Sequence, residues 1–259
     1  MTQELLCEKR EDGVAFLTIN REERRNALSD TLISTMIETF QSLEEDASVR
    51  VVCLTGAGKK AFSSGADLMA GFSAADEDPT AGTRKYARLL QVMQSFSKPL
   101  IARVNGLALG GGLGLMLACD IVIAQEDVKV GTPEVRVGLF PMMISPLILS
   151  HMPRKAAMKM ILCGDRISAQ EALSYHMINQ VVPSENLDEA VEATLLSVLG
   201  GAPLAQQEGK RAIQETASRP FEEAVEELAA SLYKLIQTED AMEGIAAFVE
   251  KRAPSWKGQ

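Results

Sequence analysis

The chain has 259 residues, of which 46% are hydrophobic and 24% charged, a balance ordinary for a globular protein that can bury a sizeable core. This length suits one large domain, or one domain with an appendage. The formal net charge of −9 argues against broad nucleic-acid binding, which usually requires a basic surface, but leaves an anionic small ligand open.

The N-terminus and the cysteines favour a cytoplasmic protein. Residues 1–13 show neither an apolar signal core nor a basic amphipathic pattern, and no apolar run is long and pure enough to span a membrane. The four cysteines lie among apolar residues and form no C-x-x-C pair, which is typical of small buried hydrophobic residues. We therefore expect no disulfide framework, no metal site and no membrane association.

Strands and helices alternate through the N-terminal part of the chain. Period-two and helical spacing predict, in order, a strand over 5–9, a strand over 14–19, a helix from about 30 to 45, a buried strand over 51–55 and a helix over 83–96. The stretch AFSSGADL, residues 61–68, is interpreted as a small-residue loop. Residues 69–82, rich in glycine and acidic residues, are predicted to be the most mobile segment.

The chain is organised around residues 100–124, LIARVNGLALGGGLGLMLACDIVIA. The pattern predicts a buried strand over 99–104, a glycine loop over 110–112, a short helix over 113–118 and a strand over 121–124. A glycine loop at a helix N-terminus presents free backbone N–H groups and a positive dipole end, which can hold negative charge. Tight packing of a helix on a strand is the alternative explanation of the glycines.

Glu134 follows the break Gly131-Thr132-Pro133 and is expected on a loop or at a helix start. Its apolar neighbours make a partly desolvated carboxylate plausible, and a plain solvated glutamate is the alternative. Further on, a capping box from Ser168 to Glu171 predicts a helix. Helices are also predicted over 144–152 and 154–162, and a strand over 178–182.

From residue 187 the pattern is entirely helical, with helices at about 187–199, 203–217, 221–237 and 239–252. This shift predicts an α/β core over 1–186 and a helical region over 187–259.

Five stretches resemble the crotonase family, the enoyl-CoA hydratase/isomerase superfamily, in order and spacing. They are RRNALS (24–29), AFSSGADL (61–68), NGLALGGGLGLMLACDIVIA (105–124), TPEVRVGLFP (132–141) and EGIAAFVEKR (243–252). The resemblance implies a spiral of ββα units, with C-terminal helices that build homotrimers, often paired into hexamers. It also implies an acyl-CoA thioester substrate, with coenzyme A as part of the substrate and no further cofactor.

The resemblance assigns roles to particular residues. The N–H groups of Ala66 and Gly111 are expected to hold the thioester oxygen as an enolate forms, and Glu134 is expected to transfer the proton. Lys59 is a further candidate for phosphate contact. Residues matching family positions for substrate or CoA binding are Arg24, Ala27, Ser64, Ala66, Asp67, Leu68, Gly110, Gly111, Pro133, Pro141, Phe248 and Lys251. Of these, Phe248 and Lys251 match positions that reach a neighbouring subunit's CoA.

One departure from the family pattern decides the predicted reaction. Hydratases of this family carry a second glutamate two residues after the triple glycine, and Gly114 occupies that position here. We interpret the glycine as leaving that space open, which favours isomerisation of 3-enoyl-CoA to 2-enoyl-CoA with Glu134 as the single base. The alternatives are a hydratase with an unidentified second acid and, in another class, a non-catalytic CoA-binding protein.

Overall fold

The computed structural model describes residues 3–67 and 80–259. Within these ranges the strands are β1 Leu5–Lys9, β2 Val14–Ile19, β3 Val51–Gly56, β4 Ala61–Ser63, β5 Leu100–Val104, β6 Leu107–Leu109, β7 Ile121–Gln125, β8 Lys129–Gly131, β9 Arg166–Ser168 and β10 Gln180–Val182. The helices are α1 Asp30–Glu45, α2 Ala81–Ser95, α3 Gly111–Leu117, α4 Ser145–His151, α5 Arg154–Cys163, α6 Ala169–Ser174, α7 Leu187–Leu199, α8 Pro203–Thr216, α9 Phe221–Ile236 and α10 Glu239–Glu250. In the same described ranges, three 3₁₀ turns cover Glu22–Arg24, Pro133–Val137 and Ser184–Asn186.

Six of the described strands form the larger sheet, in the order β1-β2-β3-β5-β7-β10, and among them only the β1–β2 pair is antiparallel. Helices α1 and α2 contact each other beside the main core, where the rings of Phe40 and Phe96 meet edge to face with centroids 5.3 Å apart. Parallel strands need cover on both faces. Helix α7 supplies the second layer, because Leu187, Val191 and Leu195 pack in one buried cluster with residues of β3, β5 and β7.

The smaller sheet has the order β4-β6-β8-β9 and brings three loops together. Strands β4, β6 and β8 are parallel, so their carboxyl ends meet at one edge of the sheet. The segment that follows β4 is the SGAD turn, residues 64–67. The glycine loop at 110–112 follows β6, and the 3₁₀ turn Pro133–Val137 follows β8. This edge therefore gathers the segments to which the sequence assigned the chemistry.

The predicted α/β class is confirmed, and most predicted elements lie within a few residues of the observed ones. The stretch interpreted as a loop at 61–68 begins with β4, and two further short strands, β6 and β9, were also missed. Helix α3 begins at Gly111 rather than residue 113. Residues 81 and 82, expected in the mobile segment 69–82, form the first turn of α2, and residues 69–79 of that segment lie outside the described residues.

The C-terminal helices differ in how they meet the core. Helix α7 covers the main sheet, although the sequence placed it beyond the boundary at residue 187, and the division of the chain itself stays a prediction. Helix α9 has no buried residue in the described chain. All four cysteines are free thiols. No helix in the described ranges is long and apolar enough to cross a membrane.

Candidate active site

The SGAD turn and the glycine loop are in close backbone contact at Gly65, where no space is left for a side chain. A Cβ at Gly65 would lie 3.0 Å from the nitrogen of Gly111 and 2.7 Å from the oxygen of Leu109, and Gly65 also has a positive φ of 87°. A side chain at this position would push the two loops apart. The contact brings the predicted donors of Ala66 and Gly111 onto neighbouring segments.

Both predicted donors have a free backbone N–H. Leu28 pairs with the SGAD turn on either side of Ala66. Its N–H donates to the carbonyl of Gly65, and its own carbonyl accepts from the N–H of Asp67. Gly111 is the first residue of α3, where the N–H has no intrahelical acceptor. Neither the Ala66 nor the Gly111 N–H donates to another group in the described part of the chain. The two groups are thus available for an oxygen that carries negative charge.

Arg21, which the sequence analysis did not single out, binds to the SGAD turn through its guanidinium group. Its guanidinium contacts Glu4 at 2.8 Å and Asp67 at 2.9 Å, and donates to the carbonyl of Ala27 at 2.5 Å. Only 12% of its side chain is exposed. A planar fork with several fixed donors is well suited to such a junction. The signal available in the sequence was only the arginine-rich loop before residue 27.

A buried network of hydrogen bonds around Asn26 supports the same turn. The side chain of Asn26, fully buried, donates to the carbonyls of Ala57 and Ala61. The hydroxyl of Ser63 donates to the carbonyl of Asn26 and accepts from the N–H of Gly65. These bonds orient the residues that precede Ala66.

Glu134 lies in the 3₁₀ turn after β8, with its carboxylate against the glycine loop. A Cβ at Gly110, where φ is +52°, would lie 2.7 Å from Oε1 of Glu134. The other oxygen, Oε2, is buried without a hydrogen-bond partner in the described residues. Burial raises the pKa of Glu134 above its usual value. An orphaned carboxylate oxygen of this kind needs a partner from a water or a ligand.

The space beside Gly114 is filled, so the prediction that the glycine leaves it open is wrong. A Cβ at Gly114 would lie 2.3 Å from the hydroxyl oxygen of Tyr86 and 2.4 Å from Cγ2 of Ile144. Tyr86 reaches this position from α2 and is 7% exposed. The sequence held no signal for it, because a tyrosine at helical spacing is usually interpreted as core.

The remaining predicted binding residues divide by exposure. Ala27, Gly110 and Pro141 are buried, and Ser64, Asp67 and Pro133 are half-buried beside the loops. Arg24, Lys59 and Lys251 are exposed cations, and Phe248 is 84% exposed on α10, so it packs against little of its own chain. Leu68 lies outside the described residues.

Two free N–H donors and a desolvated carboxylate form a set that can move a proton beside a carbonyl group. The donors hold the oxygen on which charge develops, while the carboxylate takes or returns the proton on carbon. Such a set is suited to enolate chemistry, and its members lie in the three segments that follow β4, β6 and β8.

Known proteins resemble this chain over nearly its whole length. The family model described as "Enoyl-CoA hydratase/isomerase" matches residues 9–259. The chain is 34% identical to a carnitinyl-CoA dehydratase of Salmonella typhi, over 96% of this chain and 97% of the relative. It is also 34% identical to a 2,3-dehydroadipyl-CoA hydratase of Escherichia coli, over 98% and 99%. A crystal structure of enoyl-CoA hydratase from Mycobacterium smegmatis superposes with a TM-score of 0.94 at 31% identity, covering 98% of this chain and 99% of that one.

Proposed function

The chain belongs to the enoyl-CoA hydratase/isomerase family, and from that premise we propose that it adds water to, or removes it from, the acyl group of an enoyl-CoA thioester. The observation that carries the proposal is the buried, unpartnered oxygen of Glu134 beside two free N–H donors. Two relatives named as a dehydratase and a hydratase support the same reaction type. Because the family and these relatives are enzymes, a non-catalytic CoA-binding protein is no longer a candidate.

In the proposed hydration, one carboxylate serves both halves of the reaction. Glu134 takes a proton from water as the water oxygen bonds to C3, and the electrons of the C2=C3 bond move onto the thioester oxygen. The N–H groups of Ala66 and Gly111 stabilise that oxygen, where loss of one such donor typically costs about 2.7–4 kcal/mol. Glu134 then returns its proton to C2, and the thioester carbonyl is restored. The mechanism uses no cofactor apart from the coenzyme A of the substrate.

Isomerisation of 3-enoyl-CoA to 2-enoyl-CoA is the second candidate, and the sequence alone favours it. The observation in its support is that the family's second carboxylate is replaced by Gly114. A single base can remove a proton from C2 and return it at C4 through the same enolate. We place hydration first because two of the relatives are named as a dehydratase and a hydratase, and because the space beside Gly114 holds the hydroxyl group of Tyr86 and is not open.

A substrate panel tests this order. The purified wild-type chain should hydrate short 2-enoyl-CoA esters such as crotonyl-CoA with a kcat on the order of 1 s⁻¹ or more. The same preparation is given 3-enoyl-CoA esters, and the appearance of 2-enoyl-CoA is followed by chromatography. Isomerisation without hydration of any 2-enoyl-CoA would overturn the proposal in favour of the second candidate.

We also propose that the active protein is a homotrimer or a pair of trimers. The support is the exposed apolar face of the C-terminal helices, which includes Leu232, Tyr233 and Ile236 on α9 and Phe248 and Val249 on α10. Phe248 and Lys251 would then reach the CoA of a neighbouring subunit. Arg24, Lys59 and Lys251, exposed cations, are the proposed contacts for CoA phosphates.

A further inference from the structure

Tyr86 brings a second polar group into the site. Its hydroxyl donates to the carbonyl of Gly111 at 2.6 Å, so it lies against the residue whose N–H is a proposed oxyanion donor. The same oxygen occupies the space into which a side chain at Gly114 would project. The phenol oxygen thus fills the space next to residue 114, the position at which the family pattern has a glutamate, and it comes from α2 rather than α3.

The hydroxyl of Tyr86 remains protonated and keeps accepting capacity. Burial, with the nearby charge of Glu134 as a further cause, raises the pKa of Tyr86 above its ordinary value, so the group is a neutral phenol. A phenol has one O–H to donate and lone pairs with which to accept. Since the O–H is used by Gly111, what the oxygen offers to a ligand is an acceptor.

Glu134 offers a second acceptor, and it is near enough for its charge to act on Tyr86. Oε2 of Glu134 is buried and accepts no hydrogen bond in the described ranges. A water has two O–H groups, and two acceptors on different segments can fix both of them. One O–H directed at a carboxylate and the other at a phenol oxygen would fix the water's orientation.

On the basis of the proposed function, we infer that Tyr86 is a catalytic residue. Its hydroxyl oxygen accepts a hydrogen bond from one O–H of the reacting water, while Glu134 accepts a hydrogen bond from the other O–H. The proton transferred in the reaction is the one that faces Glu134, and the proton that faces Tyr86 stays on the oxygen that bonds to C3. Tyr86 is unchanged at the end of the step. In the reverse direction its oxygen accepts a hydrogen bond from the hydroxyl group of a 3-hydroxyacyl-CoA, without taking the proton, and so positions the leaving group.

A purely structural role for Tyr86 makes a different prediction. If the hydroxyl only positioned Gly111, its removal would weaken the oxyanion donor and slow every reaction that passes through the enolate. If it holds the water, enolate formation should survive its removal and only water addition should suffer. The two roles are separated by a reaction that forms the enolate without adding water.

The experiment compares the wild type with Tyr86→Phe in two assays. The first measures hydration of crotonyl-CoA. The second follows exchange of the C2 protons of butyryl-CoA in D₂O by NMR, which needs the base and the oxyanion donors but no water addition. We expect Tyr86→Phe to lower kcat for hydration by about 10- to 100-fold, as for the loss of a buried hydrogen bond, and to leave the exchange rate within about threefold. Tyr175→Phe, which removes a half-buried phenol hydroxyl outside the site, is the matched control and should leave both rates unchanged.

Three other results would contradict the role inferred for Tyr86. If hydration and exchange fall together, whether through Gly111 or through loss of the fold, the water-holding role is wrong. If wild type and Tyr86→Phe hydrate equally well, the inference fails and the proposed hydratase function stands. If the wild type exchanges C2 protons but hydrates no enoyl-CoA, the proposed function fails first, and the role of Tyr86 fails with it.

Discussion

At the scale of single residues, Glu134 combines a buried carboxylate with a position against the glycine loop. Replacing it with glutamine keeps its size and removes the base. Hydration by Glu134→Gln should fall by about 10²- to 10⁴-fold, the usual effect of losing an acid–base group. Glu126→Gln, at an exposed position after β7, is the control and should keep wild-type kcat. A normal rate in Glu134→Gln would remove this residue from the mechanism.

The same carboxylate predicts how activity depends on pH. Burial raises the pKa of Glu134 above its usual value. A base works only when deprotonated, so kcat/KM should decline as pH falls through this raised pKa, at a higher pH than for an exposed glutamate. A pH–rate profile measured with the wild type checks the position of this acid limb. A limb centred at or below an ordinary glutamate pKa would contradict the assignment.

Stability should change in the opposite sense to activity. The pKa of Glu134 is higher in the folded state than in the unfolded state, so the unfolded chain releases this proton at a lower pH. The free energy of unfolding therefore falls as pH rises from the unfolded-state pKa to the folded-state pKa. The side chain in Glu134→Gln does not ionise, so the variant does not lose this free energy of unfolding. Urea denaturation should therefore show the variant to be more stable than the wild type at pH 8, with the difference shrinking at pH 4. A wild type that is the more stable of the two at pH 8 would show that the buried carboxylate is well satisfied.

Gly114 tests how tightly the site is filled. An added methyl group meets Tyr86 and Ile144 at distances below ordinary contact, so Gly114→Ala should destabilise the fold by about 1–3 kcal/mol. Gly209 in α8 has nothing within 4 Å of such a methyl group, and Gly209→Ala should stabilise by about 0.4–1 kcal/mol. Chemical denaturation of both variants gives the comparison. Equal effects of the two substitutions would show that the space beside Gly114 is open after all.

At the scale of elements, Arg21 ties the loop before α1 to the SGAD turn. Arg21→Lys keeps the charge but loses the fork that reaches Glu4, Asp67 and the carbonyl of Ala27 together. We expect a loss of about 1–3 kcal/mol in the free energy of unfolding and a lower kcat, since the donor of Ala66 is held by this turn. Arg154→Lys, at an exposed position on α5, is the control for stability. An Arg21→Lys variant with wild-type stability and kcat would show that the turn is held by the Asn26 network alone.

At the scale of the whole molecule, α9 and α10 leave several large apolar side chains exposed when the chain is alone. Leu232 and Ile236 lie one helical turn apart on α9 and are 58% and 55% exposed. Placing arginines at both positions should convert the proposed trimer into monomers, as measured by light scattering after size-exclusion chromatography. Gln170→Arg, on the exposed side of α6, should leave the assembly unchanged. A wild-type chain that is already monomeric at micromolar concentration would refute the proposed assembly.

The sequence by itself determined the α/β class, most helices and long strands, and the motifs that carry Ala66, Gly111 and Glu134, because each rests on local periodicity or on spacing along the chain. It missed β4, β6 and β9, because three residues are too few to show a period by themselves; the equally short β10 was found only as part of a longer predicted strand over 178–182. Only the tertiary structure decided that these short strands bring the three loops to one edge. It alone showed that Arg21 holds the SGAD turn, and that Tyr86 fills the space beside Gly114. A residue 28 positions away can occupy the space that a glycine leaves, and no pattern along the chain records which side chain enters it.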